Sequence, residues 1–425
     1  MKNILFGLSI LLTHTVFAQS SVSPCGSADY LNELDIQYPG LKAQVENITD
    51  HGNYKSRGVN VTIPIVFHVV YNTSTQNLAN SYLEAQVSLL NDCYARTNAD
   101  TTNMRSIFQS RVGPSKIRFV IDQIIRFQTT NTSFDASSSS GFANSDIVKQ
   151  TGSGGDDAVS PDKKLNIWVC NLTKDGSDNL IGYAYPPVGA PNWSAGSGAP
   201  SPAFDGVVID YTDVGGPLKQ PLGYSYGFRG KALVHEVGHY LGLRHIWGDD
   251  GGACQGDIGY KDDGINDTPV VGDASNNNCS KTKNSCIEAS GDLADMVENY
   301  MDYSSATCQN SFTKMQISAM EYVIDNLRSL VRVPTSIQAS EEVVKQITIY
   351  PNPSSEMIFV DASRLDYSSL KITLVNTIGQ PLYNIETSKQ LNPIEINTFG
   401  FAKGIYFVNM LIDNQQTITK KIIIQ

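Results

Sequence analysis

The spacing of apolar residues changes several times along the chain, and each change marks an element. An apolar run from Ile4 to Leu12 follows Lys2 and leads to small residues ending at Ala18. The run is far shorter than the ~20 residues that cross a bilayer, so it reads as an export signal cut after Ala18, leaving Gln19 first. Apolar alternation of the kind a strand requires begins near Val61, in VTIPIVFHVVY. In KALVHEVGHYLGL (231–243) the apolar residues recur at helical spacing, and Gly242 stands where a left-handed glycine ends a helix. TKMQISAMEYVIDNLRSL (313–330) is helical again, and VRVPTSIQASEEVV (331–344) is a polar linker. The remaining residues alternate in ITIYPNPSSEMIFVDA, LKITLVNTIGQPLYN, FAKGIYFVNMLID and TITKKIIIQ, short strands punctuated by Pro and Gly that predict a small β-sandwich.

Chemistry enters at the helix of residues 231–243. Three of the chain's six histidines fall within HEVGHYLGLRH. His235 and His239 share one helical face, and His245 arrives on a new heading after the turn at Gly242. The arrangement suits a zinc ion with three neutral nitrogen ligands and a fourth position open to water, with Glu236 beside that water as general base.

At 425 residues the chain exceeds the usual one-domain range, and a 41% hydrophobic content with 9% aromatics supports substantial cores. The formal charge of −11 argues against nucleic acid or an anionic membrane as partner, and carboxylates suit bound calcium. Beyond the leader no stretch is apolar enough to span a membrane, so the mature chain is expected to be soluble, and monomeric. Export allows cysteines to oxidise. Cys254, Cys279, Cys286 and Cys308 lie in a long Gly-, Asn- and Asp-rich loop that cannot bury enough apolar surface to hold itself, and sequence alone allows three pairings of them. Cys93 and Cys170 read as buried free thiols or as a mutual bridge.

The pattern His-Glu-x-x-His-x-x-Gly-x-x-His is the signature of the metzincin metallopeptidases, whose second mark is a methionine turn, here Met301 in ENYMDYSS. HEVGHYLGLRHIWGD, DGINDTPVV and NYMDYSSATCQNSFTKMQ together resemble the pappalysin family of metzincins, particularly its bacterial branch, over roughly residues 60–330. The resemblance implies an α+β fold of the zincin type: a mixed, twisted sheet, a backing helix near 81–95 and the active-site helix near 230–243. IPIVFHVVY, LNIWVCNL, IGYAYPP and FDGVVIDY fall where the family carries sheet strands, and the edge near residues 180–186 is where a substrate backbone adds as a strand. It also implies the interleaved disulfides Cys254–Cys286 and Cys279–Cys308, and Tyr303 as a donor to the tetrahedral oxyanion. YPNPSS, NTIGQ, GIYFVN and TKKIIIQ resemble the C-terminal sorting domain of type IX secretion, implying passage across the outer membrane of a Gram-negative bacterium; a carbohydrate- or protein-binding sandwich is the alternative.

The domains expected are a signal peptide (1–18), a pro-segment (19–58), a metzincin catalytic domain (59–333), a linker (334–344) and the sorting sandwich (345–425). The function expected is a secreted zinc endopeptidase made as a latent precursor and acting on proteins or peptides; the alternative is a secreted binding protein with a structural zinc. Metzincin proenzymes often place a cysteine thiolate at the fourth zinc position, which makes Cys25 the latency residue, or else an unpaired or intermolecularly paired thiol. Lys55 and Arg57, in a polar stretch before the first strand, are the expected site of nicking; a basic linker is the alternative. DGINDTP matches a calcium-binding stretch of the family, with Asp263, Asp267 and Thr268 as ligands and Val270 replacing a family carboxylate; a solvated acidic loop is the alternative. Thr307 stands where arginine-selective relatives carry a pocket carboxylate, so uncharged residues are expected after the scissile bond, unless Asp302 points inward.

Overall fold

The computed structural model describes residues 25–26, 60–136, 145–176, 180–190, 193, 196–216, 229–249, 252–257, 263–329, 331, 337–338, 341–377, 380–412 and 416–425. The expected signal peptide, and the nicking site at Lys55 and Arg57, lie outside the described residues.

In chain order the larger unit contains β1 (Val61–Tyr71), α1 (Asn80–Ala95), β2 (Ile117–Gln128), β3 (Phe134–Ala136), β4 (Leu165–Cys170), β5 (Leu172–Lys174), β6 (Gly182–Ala184), β7 (Val207–Asp210), α2 (Lys231–Tyr240) and α3 (Lys314–Asn326). Five strands form one sheet in the order β2-β1-β4-β7-β6, parallel except for β6, which runs antiparallel to β7 at the edge. The expected mixed sheet is present, and its edge at β6 falls within the expected residues 180–186. β1 and β4 are central, and their apolar runs are buried on both faces, as parallel strands require. β2 is the strand of this sheet that the apolar pattern missed. Arg118, Asp122 and Arg126 interrupt it, and its outer half is largely exposed, as suits an edge.

Strand alternation divides the sheet's side chains between two cores. Ile63, Ile65, Phe67 and Val69 of β1, Ile167 and Val169 of β4, and Val207 and Ile209 of β7 pack with Leu83, Val87 and Leu90 of α1 and with Leu233, Val234 and Val237 of α2. Val70, Trp168, Cys170, Val208 and Tyr183 pack on the other side with Phe134 and Val148. α2 is thereby pressed against the sheet beside β6 and β7, which places its histidines under the antiparallel edge.

α2 ends as its sequence predicts. Gly242 has φ +92°, and its N–H donates to His239 O at 2.8 Å. α3 begins with a reciprocal cap: Thr313 accepts from Gln316 N–H, while Gln316 Oε1 accepts from Thr313 N–H. The same Gln316 side chain meets Asn299 (2.9 Å), whose Oδ1 accepts Met301 N–H (2.9 Å), so the start of α3 braces the methionine turn. Between α2 and α3 the described residues form no regular element, and Cys254–Cys286 and Cys279–Cys308 hold that segment. The expected pairing is the one observed. Cys93 and Cys170 are buried free thiols.

The C-terminal unit contains β8 (Ile337–Gln338), α4 (Glu341–Gln346), β9 (Thr348–Tyr350), β10 (Met357–Asp361), β11 (Ser369–Val375), β12 (Pro381–Ser388), β13 (Ile394–Asn397), β14 (Gly404–Ile412) and β15 (Gln416–Ile424). Two sheets, β13-β10-β9 and β12-β11-β14-β15-β8, enclose one apolar core, the sandwich expected from the alternation. Ile358 and Val360, Ile372 and Leu374, and Val408 and Met410 point into it at period two.

Candidate metal centre and active site

α2 carries His235 and His239 one turn apart, and the turn at Gly242 brings His245 back to them. The three Nε2 atoms form a triangle with edges of 3.0, 3.1 and 3.1 Å. Each Nδ1 faces an acceptor: Tyr300 O at 2.6 Å for His235, Leu243 O at 2.8 Å for His239, and the Asp249 carboxylate at 2.8 Å for His245. With Nδ1 donating, each ring turns the lone pair of Nε2 inward. Three lone pairs at this separation have no proton to share, whereas nitrogens about 2.1 Å from one tetrahedral ion stand about 3.4 Å apart. The side chains present therefore fit a zinc ion. Burial, then the neighbouring His245, pushes the pKa of His235 down to about 3; the same causes hold His239 well below the usual histidine value. Both are neutral donors at physiological pH.

Cys25 completes the cluster. Its Sγ and the three histidine nitrogens all lie within 4.8 Å of one another, and Cys25 is 2% exposed. Cys25 forms a parallel bridge with Gly182 of β6, and Gly26 N–H donates to Gly182 O at 2.8 Å.

Glu236 is buried, and because it follows His235 directly on the helix it faces a different way. It lines a small cavity with Cys25, Lys231, Ala232, His235, Asp302, Tyr303 and Gln309. Tyr303 donates its hydroxyl to Cys25 O at 3.0 Å, and its ring stands edge-on to His245 at 4.8 Å. Met301 is buried against α2 where a β-carbon on Gly238 would lie 2.5 Å from its sulfur, so only glycine allows this approach. The turn also holds both ligand segments by its backbone, through Tyr300 O to His235 and Met301 O to Ile246 N–H.

Asp263 accepts from Thr268 Oγ1 at 3.0 Å, and both are buried. Asp267 reaches the start of α3, where its carboxylate accepts Met315 N–H at 3.0 Å. Thr307 is exposed, with its hydroxyl 3.4 Å from Cys279 Sγ, and is not among the residues lining the cavity. Asp302 is among them. Its carboxylate accepts N–H groups of Ser275 (3.1 Å) and Tyr303 (2.8 Å), and burial pushes its pKa up to about 6.

Sequence reasoning missed Lys231 and Asp249. Lys231 Nζ donates to Asp100 and to the carbonyls of Ala306 and Gln309, tying α2 to the segment after the methionine turn. Asp249 left a signal, an acid four residues after the third histidine in HIWGD.

Comparison with known proteins agrees with this geometry. Residues 153–325 match the Pregnancy-associated plasma protein-A family, and residues 348–425 match the secretion system C-terminal sorting domain. An extracellular metalloprotease of Arthroderma benhamiae is 28% identical over 298 residues, 69% of this chain and 84% of the relative. One from Verticillium alfalfae is 30% identical over 278 residues, 65% of this chain and 80% of the relative. Among solved structures, Tannerella forsythia mature mirolysin in complex with a cleaved peptide is 34% identical, with a TM-score of 0.55, and the match covers 65% of this chain and 97% of that one. A Tannerella forsythia promirolysin mutant is 31% identical, with a TM-score of 0.57, over 72% of this chain and 96% of that one. The chain belongs to the pappalysin family of metalloendopeptidases and carries a type IX secretion sorting domain at its C-terminus. It is a secreted protein, and its family implies zinc.

Proposed function

We propose that the protein is a zinc endopeptidase made as a latent precursor, with Glu236 as its general base and Cys25 as its latch. The observation that carries the reading is the convergence of His235, His239 and His245 Nε2 with Cys25 Sγ. Bound zinc supplies Lewis acidity, polarising the scissile carbonyl and lowering the pKa of water toward ~7. The chain supplies the rest. Glu236 takes the proton of the attacking water and returns it to the leaving amine. Tyr303 donates its hydroxyl to the developing oxyanion, the donor now spent on Cys25 O. The backbone of β6 receives the substrate as an added strand, where Gly26 N–H now meets Gly182 O.

Latency follows from the same contacts. The Cys25 segment occupies the edge, the tyrosine donor and the fourth ligand position together, so activation requires the whole segment to leave. Thr307 is neutral, and the Asp302 carboxylate is engaged by the N–H groups of Ser275 and Tyr303, so uncharged residues are preferred after the scissile bond. Asp263, Asp267 and Thr268 are the side chains suited to calcium. The signal peptide ends at Ala18, the catalytic domain spans 59–333, and the sorting domain directs passage across the outer membrane. The test is peptide hydrolysis by the processed protein: activity should vanish with a zinc chelator and return with added zinc. Chelator-insensitive cleavage would defeat the reading.

A further inference from the structure

Two of the three histidines are fixed by the helix that carries them, whereas the third stands outside any regular element. Beyond the bond from Ile246 N–H to Met301 O, what holds His245 is the pentapeptide that it opens, HIWGD. Gly248 N–H donates to His245 O at 3.0 Å, and φ angles of +65° at Gly248 and +54° at Asp249 curl the chain back. Arg244 closes the turn from the other side by donating to Gly248 O. The Asp249 carboxylate thereby reaches the histidine of its own turn, with Oδ1 and Oδ2 at 2.8 and 3.0 Å from Nδ1; both side chains are buried. Trp247 lies flat on the same imidazole, with ring centroids 4.2 Å apart and planes 6° from parallel.

We infer that Asp249 is the positioning residue of the third metal ligand, and that His245, Trp247 and Asp249 form a clasp that presents Nε2 to zinc. The inference rests on the zinc reading above. His235 and His239 give their Nδ1 protons to backbone carbonyls, which fix tautomer and rotation. A carboxylate does this and, being charged, also makes the opposite nitrogen a stronger donor. The clasp thus puts the strongest orienting partner on the ligand with the least support from secondary structure. Its effect is greatest once Cys25 has left and three nitrogens hold the ion alone.

The test is zinc affinity of the processed protein, by competition with a chromophoric chelator, for wild type, Asp249→Asn and Asp249→Glu, with melting of each metal-free protein recorded alongside. Asp249→Asn is expected to weaken zinc binding by about 10- to 100-fold. Asp249→Glu, whose carboxylate is displaced by one methylene, should lie between, with metal-free melting unchanged. An affinity within about twofold of wild type for the asparagine variant overturns the inference and leaves the zinc reading standing. Equal losses in both variants together with lowered metal-free melting overturn it in favour of a merely structural role. If the asparagine variant does not fold, the glutamate variant decides, and unchanged affinity there overturns the inference. A wild type that binds no zinc overturns both readings.

Discussion

The two folded units of this chain are insulated from water in opposite ways. In the metallopeptidase unit the interior is crowded with polar groups: Gln86, Lys149, Lys231, Glu236, Asp302 and the three clustered histidines are all buried. In the sandwich, the buried polar side chains among the described residues are Ser354 and Thr398. A buried polar group costs stability unless partnered, so a domain carries many of them only when its interior has chemistry to perform or a precise geometry to keep. The sandwich needs only to exist and be recognised. Its core is apolar alternation, and what it offers a partner lies on its surface.

That contrast breaks first at Glu236. Glu236→Gln should lower peptide hydrolysis by about 10²- to 10⁴-fold, the worth of a general base, while zinc content by metal analysis stays at wild-type level. Retention of most activity would remove Glu236 from the mechanism. In the sandwich the comparable injury is Ile372→Ala, at a fully buried position. It should destabilise that domain by about 2–5 kcal/mol in denaturant unfolding and leave hydrolysis by the processed enzyme unchanged. A fall in hydrolysis would show that the two units are not separate.

Smaller effects sharpen the comparison within the metallopeptidase unit. Cys25→Ala should make the secreted precursor process itself about ten- to a hundredfold faster, in proportion to a charged contact of about 1.5–3 kcal/mol. Equal rates, followed by gel, would eliminate the latch. Smallest is Asp302→Asn. Burial raises this carboxyl from 3.8 to about 6, so its charged form is disfavoured in the folded state. Its contribution to stability is therefore full at low pH and is lost as pH rises through about 4 to 6. The asparagine variant should gain on wild type between pH 4 and pH 7 in denaturant titrations. A cleavage profile dominated by arginine or lysine after the cut, and abolished in that variant, would instead make Asp302 a pocket carboxylate.

Much of this was legible in the sequence because it is local. The helix of His235 and His239, its termination at Gly242 and the alternation of the sandwich each follow from spacing within a few residues. β2 was hidden because Arg118, Asp122 and Arg126 interrupt its apolar run. Lys231 and Asp100 meet across 131 residues, and nothing in either neighbourhood announces the other. Asp249 was legible and overlooked, being local to His245.

The order of the two disulfides has a consequence for wear. Cys254–Cys286 and Cys279–Cys308 overlap between residues 279 and 286, so together they span every peptide bond from 254 to 308 without a gap. One nick anywhere in that long irregular segment leaves both new ends covalently attached to the body of the protein. Bridges placed side by side, 254 to 279 and 286 to 308, would leave the bonds between 279 and 286 unspanned. For a protein released among peptidases, its own copies included, the overlap turns the first cut in its longest loop from a loss of material into a scar.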